Sequence, residues 1–293
     1  YLRYQLGADA FLQGKMEDAK QIMTSVIDAE KGTSLYKTEA YYYRAEAEYK
    51  LQEYDLCYRD VNAFMRQSNY AQSGNKQMAN YLKGYALFSN KKYTEAETAF
   101  RAFISDCDKT QPTYTDALNR IGDCCFNARS FQAAIDNYNK VIQKKAPGAD
   151  YALFQCGYAQ GLMRNYSDKS QAMNRLINEY PKSDYVDDAL YELARTELEL
   201  SHSAEAINAY SKLINKFPNS TFARKASLEI AMTYRNSHQY TEAKEAFKQT
   251  IEKYAGSQEA YSALEALEQI YVETNDIPSY LAYTKQLGKM NMS

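Results

Sequence analysis

The stretch "LKGYALFSNKKYTEAETAF", Leu82 to Phe100, decides the fold. Gly84 and Ala96 are small, stand twelve residues apart, and flank a turn that ends on Tyr93. Phe100 follows Ala96 by four residues and Phe103 follows by three more, a spacing that lays one stripe along an α-helix. The physical reading is a helix, a tight turn and an antiparallel helix, with small side chains where the two backbones approach. A large residue at either small position is expected to cost about 1–3 kcal/mol by overpacking.

The same frame runs along the chain. Gly7, Ala45, Gly84, Gly122, Gly157, Ala194 and Ala231 are spaced by 38, 39, 38, 35, 37 and 37. Twelve residues after each come Ala19, Cys57, Ala96, Ala134, Lys169, Ala206 and Ala243, of which only Lys169 is large. The interval of twelve is constant while the repeat length varies, so insertions fall between helix pairs. The joints are spelled alike as well: "NEYPKS" from Asn178, "NKFPNS" from Asn215 and "EKYAGS" from Glu252. Proline lacks an N–H and stops a helix, and Ser183, Ser220 and Ser257 are expected to cap the helices that follow.

With its glycine, turn aromatic, alanine and phenylalanine in this order, the pattern resembles the tetratricopeptide repeat. The resemblance covers nearly the whole chain. It implies an all-α fold, a right-handed α-solenoid of seven to eight antiparallel helix pairs, as one domain over 1–293. Repeats are expected near 1–33, 36–70, 76–108, 114–147, 149–183, 186–220 and 223–257, with a capping pair over 260–290. Two departures stand out: the family's first-helix Trp is absent, and Lys169 replaces a small residue. Glu268 and Tyr280 hold the small positions of the last pair, which fits a terminal cap whose outer face need not pack. The "YP-x-S-x-Y" joints resemble a bacterial envelope subgroup, namely outer-membrane-assembly lipoproteins and the periplasmic protein accompanying the Tol–Pal system. That resemblance implies a periplasmic or cell-envelope location; a cytoplasmic one is the alternative.

Composition agrees with a large helical core. Apolar residues make up 45% of the chain, which argues against disorder. Eleven Gly and five Pro are too few for an all-β chain with a turn every ten residues or so. Thirty-five basic residues face thirty-seven acidic ones without a basic run, so a nucleic-acid partner is not expected. No apolar run approaches the roughly 20 residues of a membrane span. The chain opens "YLRYQLGADAF", without Met or a secretory pattern, and is read as an excerpt or a mature form. The oddity is twenty-nine Tyr beside no Trp. Most of these rings are expected to wedge between helices, since Tyr suits half-buried sites.

Catalytic chemistry finds little support. His202 and His238 occupy the same turn of adjacent repeats, and without a second pair of ligands they read as turn residues rather than a zinc site. Cys57, Cys107, Cys124, Cys125 and Cys156 are odd in number and lack C-x-x-C spacing, so they form a poor disulfide framework and read as small core residues. Asp184, Asp187 and Asp188 cluster at a helix start, where acidic groups favour the helix dipole. A calcium site there lacks the EF-hand spacing. No cofactor, no metal and no catalytic residue is expected.

The resemblance implies that first helices line a concave groove where partners bind. The positions three before, one after and four after each first-helix small residue then face it. With the neighbouring acidic positions, the candidate contact residues are Tyr42, Glu46, Tyr81, Tyr85, Phe88, Asp116, Asp123, Phe154, Tyr158, Asp188, Tyr191 and Arg195. A tyrosine-rich, slightly acidic surface suits a peptide or protein segment with apolar anchors and basic residues, because rigid rings lose little entropy on binding. The leading expectation is a non-enzymatic protein-interaction scaffold. Carbohydrate stacking on the rings is an alternative that the lack of Trp disfavours, and the repeats of a longer enzyme that presents substrate is another.

Overall fold

The computed structural model describes residues 1–29, 32 and 34–290, and among these it is all-α, with sixteen α-helices and no strand. The first eight are α1 (Leu2–Leu12), α2 (Met16–Ala29), α3 (Leu35–Lys50), α4 (Tyr54–Met65), α5 (Ala79–Ser89), α6 (Tyr93–Asp106), α7 (Pro112–Asn127) and α8 (Phe131–Lys144). The second eight are α9 (Ala149–Leu162), α10 (Tyr166–Glu179), α11 (Val186–Glu199), α12 (Ser203–Lys216), α13 (Thr221–Asn236), α14 (Tyr240–Lys253), α15 (Gln258–Glu273) and α16 (Ile277–Met290). Two short 3₁₀ turns, Tyr70–Gln72 and Lys76–Met78, lie between α4 and α5. The chain divides into two compact units, Tyr1–Ala159 and Gln160–Ser293. In the first unit each of α1 to α7 packs on the next helix, and in the second each of α10 to α15 does.

One turn joins the helices two by two. The residue seven after each first-helix small position has positive φ: Gly14, Gln52, Lys91, Arg129, Arg164, Ser201 and His238, followed by Asn275 in the last pair. The next amide then reaches back to the carbonyl five residues earlier, as in Glu53 N–H to Glu48 O at 2.8 Å and Ser130 N–H to Cys125 O at 2.9 Å. These are Schellman closures, which satisfy the last carbonyls of the first helix. Seven of these eight left-handed residues are not glycine, and each carries the Cβ–carbonyl repulsion of that region. Lys91→Gly, Arg129→Gly and Ser201→Gly are each expected to raise stability by about 1 kcal/mol. A urea midpoint that does not move in any of the three would sink this reading.

The joints are capped in part as expected. Ser220 Oγ accepts the Phe222 N–H at 3.2 Å and Ser257 Oγ accepts the Ala260 N–H at 3.1 Å. Ser183 is a correction: α11 begins only at Val186, and Ser183 Oγ accepts the Tyr185 N–H at 3.2 Å within a turn that precedes the helix. The same turn carries the Val186 N–H to Ser183 O bond, so the helix start is displaced past the serine. Ser34 caps α3 in the same manner through Lys37 N–H. Ser220 also donates to Asp187 Oδ2 at 2.8 Å, which ties one joint to the preceding repeat and gives one of the three clustered aspartates a structural partner.

The small positions are buried, as their spacing requires. An added Cβ at Gly84 would lie 2.7 Å from the Phe100 ring, and at Gly122 it would enter the Tyr138 ring. The large residue accommodated by each glycine is thus the aromatic sixteen residues on. Lys169, the exception, has its own accommodation: its methylene stem lies against Gly161, and its ammonium sits 2.5 Å from Glu192. In the last pair, Tyr280 donates to Glu268 Oε2 at 3.3 Å, so a hydrogen bond replaces the contact of two small residues.

Candidate partner-binding site

Of the twenty-nine tyrosines only Tyr1, Tyr36, Tyr158 and Tyr261 are exposed. The rest are half-buried or buried, so the rings chiefly form the seams between helices. In the first unit they form an edge-to-face chain, including Tyr49–Tyr85 at 6.0 Å and Tyr81–Tyr85 at 5.0 Å between centroids. Such geometry adds about 0.5–1.5 kcal/mol per pair beyond area burial.

The polar centre of this unit is a carboxylate network on α7. Asp116 Oδ2 accepts the hydroxyls of both Tyr81, at 2.7 Å, and Tyr85 from α5. One turn on, Arg120 Nη1 lies 2.7 Å from Asp123 Oδ2, and its Nε lies 4.0 Å from Asp116 Oδ1. Asp123 Oδ1 accepts Tyr138 at 2.7 Å and Tyr151 at 2.8 Å. The Arg120 guanidinium lies over the Tyr151 ring at 5.1 Å and the Phe88 ring at 5.9 Å. Burial raises the Asp123 carboxyl above the usual range, against the pull of Arg120 and the two phenols. Burial raises the Tyr81 and Tyr85 hydroxyls too, with Asp116 adding to the shift, so both act as neutral donors.

The expected contact residues divide by burial. Tyr42 is 3% exposed and donates to the half-buried Glu46 at 3.1 Å; Asp123 is 5% exposed. Tyr42 is covered by the Phe64 ring of α4 at 5.3 Å, and Asp123 by the phenols of α8 and α9, so these two side chains pack between helices rather than face solvent. Asp116 remains open, its side chain 37% exposed, and Tyr158 is 42% exposed beside Phe154 at 6.3 Å and Phe126 at 6.2 Å. Phe88 is half-buried against Tyr93. In the second unit Tyr191 stacks on Phe222 at 4.9 Å, and Arg195 Nη1 lies 3.3 Å from Glu192. Asp188 is half-buried, its carboxyl raised by burial and then by Asp187 and Glu192.

Arg120, Tyr138 and Tyr151 belong to this network and were not among the expected contacts. A signal existed for the first: "DALNRIGD" sets Asp116 four residues before Arg120 and Asp123 three after it, on one helix face. The residues set aside as non-catalytic have ordinary partners. His202 Nδ1 meets Glu197 Oε2 at 2.8 Å and His238 Nδ1 meets the Tyr240 hydroxyl at 3.1 Å. Burial pushes the Cys124 thiol up to about 12 and raises Cys57, Cys107 and Cys125 as well, which keeps them as thiols. No helix among the described residues is long and apolar enough to cross a membrane.

Comparison with known proteins agrees with the helix pairs. A tetratricopeptide repeat family model matches residues 151–183, 188–220 and 225–257, and a second one matches 81–150, together more than half of the chain. No curated protein matches the sequence significantly. Among solved structures, the C-terminal part of a TPR repeat-containing protein from Cytophaga hutchinsonii is similar with TM-score 0.72 at 19% identity, covering 89% of this chain and 99% of that one. PilF of Pseudomonas aeruginosa is similar with TM-score 0.54 at 15% identity, over 78% of this chain and 96% of that one. YrrB, described as a TPR protein with an unusual peptide-binding site, is similar with TM-score 0.52 at 16% identity, over 70% and 96%. The repeated small-residue frame, the eight identical turns and these matches agree: the chain belongs to the tetratricopeptide repeat family, whose helical repeats serve protein–protein interaction.

Proposed function

We propose that the protein is a non-catalytic scaffold that holds a segment of a partner protein against the first helices of its first unit. The observation that carries this reading is the convergence of Tyr81 and Tyr85 on Asp116 while that carboxylate stays 37% exposed. Two phenols orient the carboxylate, Arg120 reaches it only at 4.0 Å because it engages Asp123 at 2.7 Å, and Phe88, Phe154 and the exposed ring of Tyr158 supply apolar area on the same set of first helices. A lysine or arginine of the partner pairs with Asp116, and neighbouring apolar side chains lie on the rings. Asp188, Tyr191 and Arg195 are proposed as contacts of the second unit, and Glu46 as a rim residue of the first. The peptide-binding description of YrrB supports this reading by analogy of fold. A bacterial cell-envelope assembly is the proposed setting, and it rests on the joint sequences alone.

The test is affinity capture from native lysate separated into envelope and other fractions, read by mass spectrometry. Wild type is compared with Asp116→Asn and Tyr158→Ala, which change exposed groups. Serine at Tyr81 or Tyr85 would confound the result, since Tyr81 also packs on Phe103 at 4.9 Å. Each variant is expected to lose about tenfold or more of the captured partner, as truncation of an interface anchor does. Identical capture by all three chains would remove the site from the first unit, and a partner found outside the envelope fraction would remove the proposed setting.

A further inference from the structure

At several seams between successive repeats, the residue just after the second-helix small position makes a contact with the next repeat. Lys20 holds Glu53 of the next pair at 2.6 Å, Ser170 donates to Glu197, and Lys244 reaches Thr274 at 3.1 Å and Asp276 at 3.7 Å. Tyr58 is covered by the ammonium of Lys83 at 5.6 Å, and Ile135 is 2% exposed. Ile207 has the same apolar side chain as Ile135 but is not fully covered. It carries no polar tie, stays half-buried, and lines an open cleft of about 670 Å³ between α12 and α14 with Ile214, Ile230 and Tyr234. The position that supplies Glu197 in the preceding repeat is Tyr234 here, so the Ser170–Glu197 tie of that repeat has no counterpart at this seam.

The cleft has a length and a polarity. Ile207 and Ile214 are two turns apart on α12, roughly 10 Å. Along the opposite wall, Glu242 and Glu245 stand near the start of α14 and Lys253 at its end, roughly 16 Å away. Among the described residues neither glutamate has a basic partner, and Glu245 takes only the Gln249 amide at 3.3 Å. The aliphatic strip of Ile207, Ile214 and Ile230, set among polar residues such as Ser211, Asn215 and Gln249, has the length of the i, i+3/i+4, i+7 stripe of one amphipathic helix, and two unpaired carboxylates at one end select cations on it.

We propose that the cleft between α12 and α14 is a docking site for an amphipathic helical segment of a partner protein, which lays an aliphatic stripe on Ile207, Ile214 and Ile230 and turns Lys or Arg toward Glu242 and Glu245. This surface lies wholly in the second unit and does not involve Asp116 or Tyr158.

A displayed library of helical peptides about four turns long, selected on the whole chain, tests it. Selected peptides should carry the aliphatic stripe with basic residues at one end. They should weaken about tenfold on Ile207→Lys and on Ile214→Ser, weaken several-fold on the Glu242→Gln/Glu245→Gln double variant, and bind Asp116→Asn like wild type. Ile207→Lys installs the residue type already present at Lys20 and Lys244, so the fold should tolerate it, and Ile214→Ser provides an independent check. The proposal is overturned by a selection that yields no binder, or by binders indifferent to both isoleucine variants. Peptides whose basic residues can be exchanged for glutamate without loss overturn it too. Self-association of the wild type that both isoleucine variants abolish, seen by sedimentation, would instead make the occupant a second copy of the chain.

Discussion

Replacing Asp123 by alanine is expected to cost about 3–5 kcal/mol, the range for breaking a buried ion pair from one side. The reason is specific to its position. Asp123 accepts phenols from α8 and α9 and lies 2.7 Å from Arg120, so its loss leaves a half-buried guanidinium and two hydroxyls without their acceptor. Repeat arrays can unfold in sections, so the measurement should be local: amide hydrogen exchange across α7, α8 and α9, alongside urea unfolding. Protection in these three helices should collapse while α12 to α14 keep theirs. An Arg120→Met/Asp123→Leu double variant should recover much of the loss, because it removes the charges together. A single-variant loss below about 1 kcal/mol, the scale of an exposed pair, would show that solvent already reaches the network.

Gly122→Ala should be the second costly change, and its contrast with two sister sites is the test. Alanine in a helix normally gains about 1 kcal/mol over glycine. At Gly122 the added methyl enters the Tyr138 ring, which is itself held by Asp123, so overpacking of about 1–3 kcal/mol should outweigh that gain. Gly84→Ala meets the Phe100 ring at 2.7 Å and should also lose stability, although that ring has no hydroxyl to anchor it. At Gly7 the nearest atom is the Met23 methyl at 2.9 Å, the far end of a flexible chain, so Gly7→Ala should be neutral or slightly stabilising. Thermal midpoints ranked in any other order would mean that the aromatics move aside more readily than their packing implies.

Much of the fold was legible because its signals are short-range. The interval of twelve from Gly84 to Ala96 repeats with only one large intruder, and the structure places α5 and α6 where that interval requires. Lys169 is an instructive case. As a sequence feature it is an exception, yet its compensation by Gly161 and Glu192 involves partners eight and twenty-three residues away. Ser183 shows the limit at a finer scale. It matches Ser220 in the alignment of joints, but the cap is decided by where the turn releases the chain, and that occurs at Val186.

The candidate site was less legible. Helical spacing assigns Tyr42 and Tyr81 to one frame, but it does not say that Tyr42 is enclosed, against Phe64 at 5.3 Å, while Asp116 beside Tyr81 stays open. Nor does it say that Tyr151 and Asp123, twenty-eight residues apart, share a hydrogen bond. The sequence by itself determined the helix pairs, the small residues that let them approach, and the family, because each depends on contacts within about forty residues and on side-chain volume. Only the tertiary structure decided which carboxylates are buried, that the cleft beside Ile207 is left open, and which rings stay exposed. Those depend on what the adjacent repeats cover, and coverage is a property of surfaces brought together rather than of spacing along the chain.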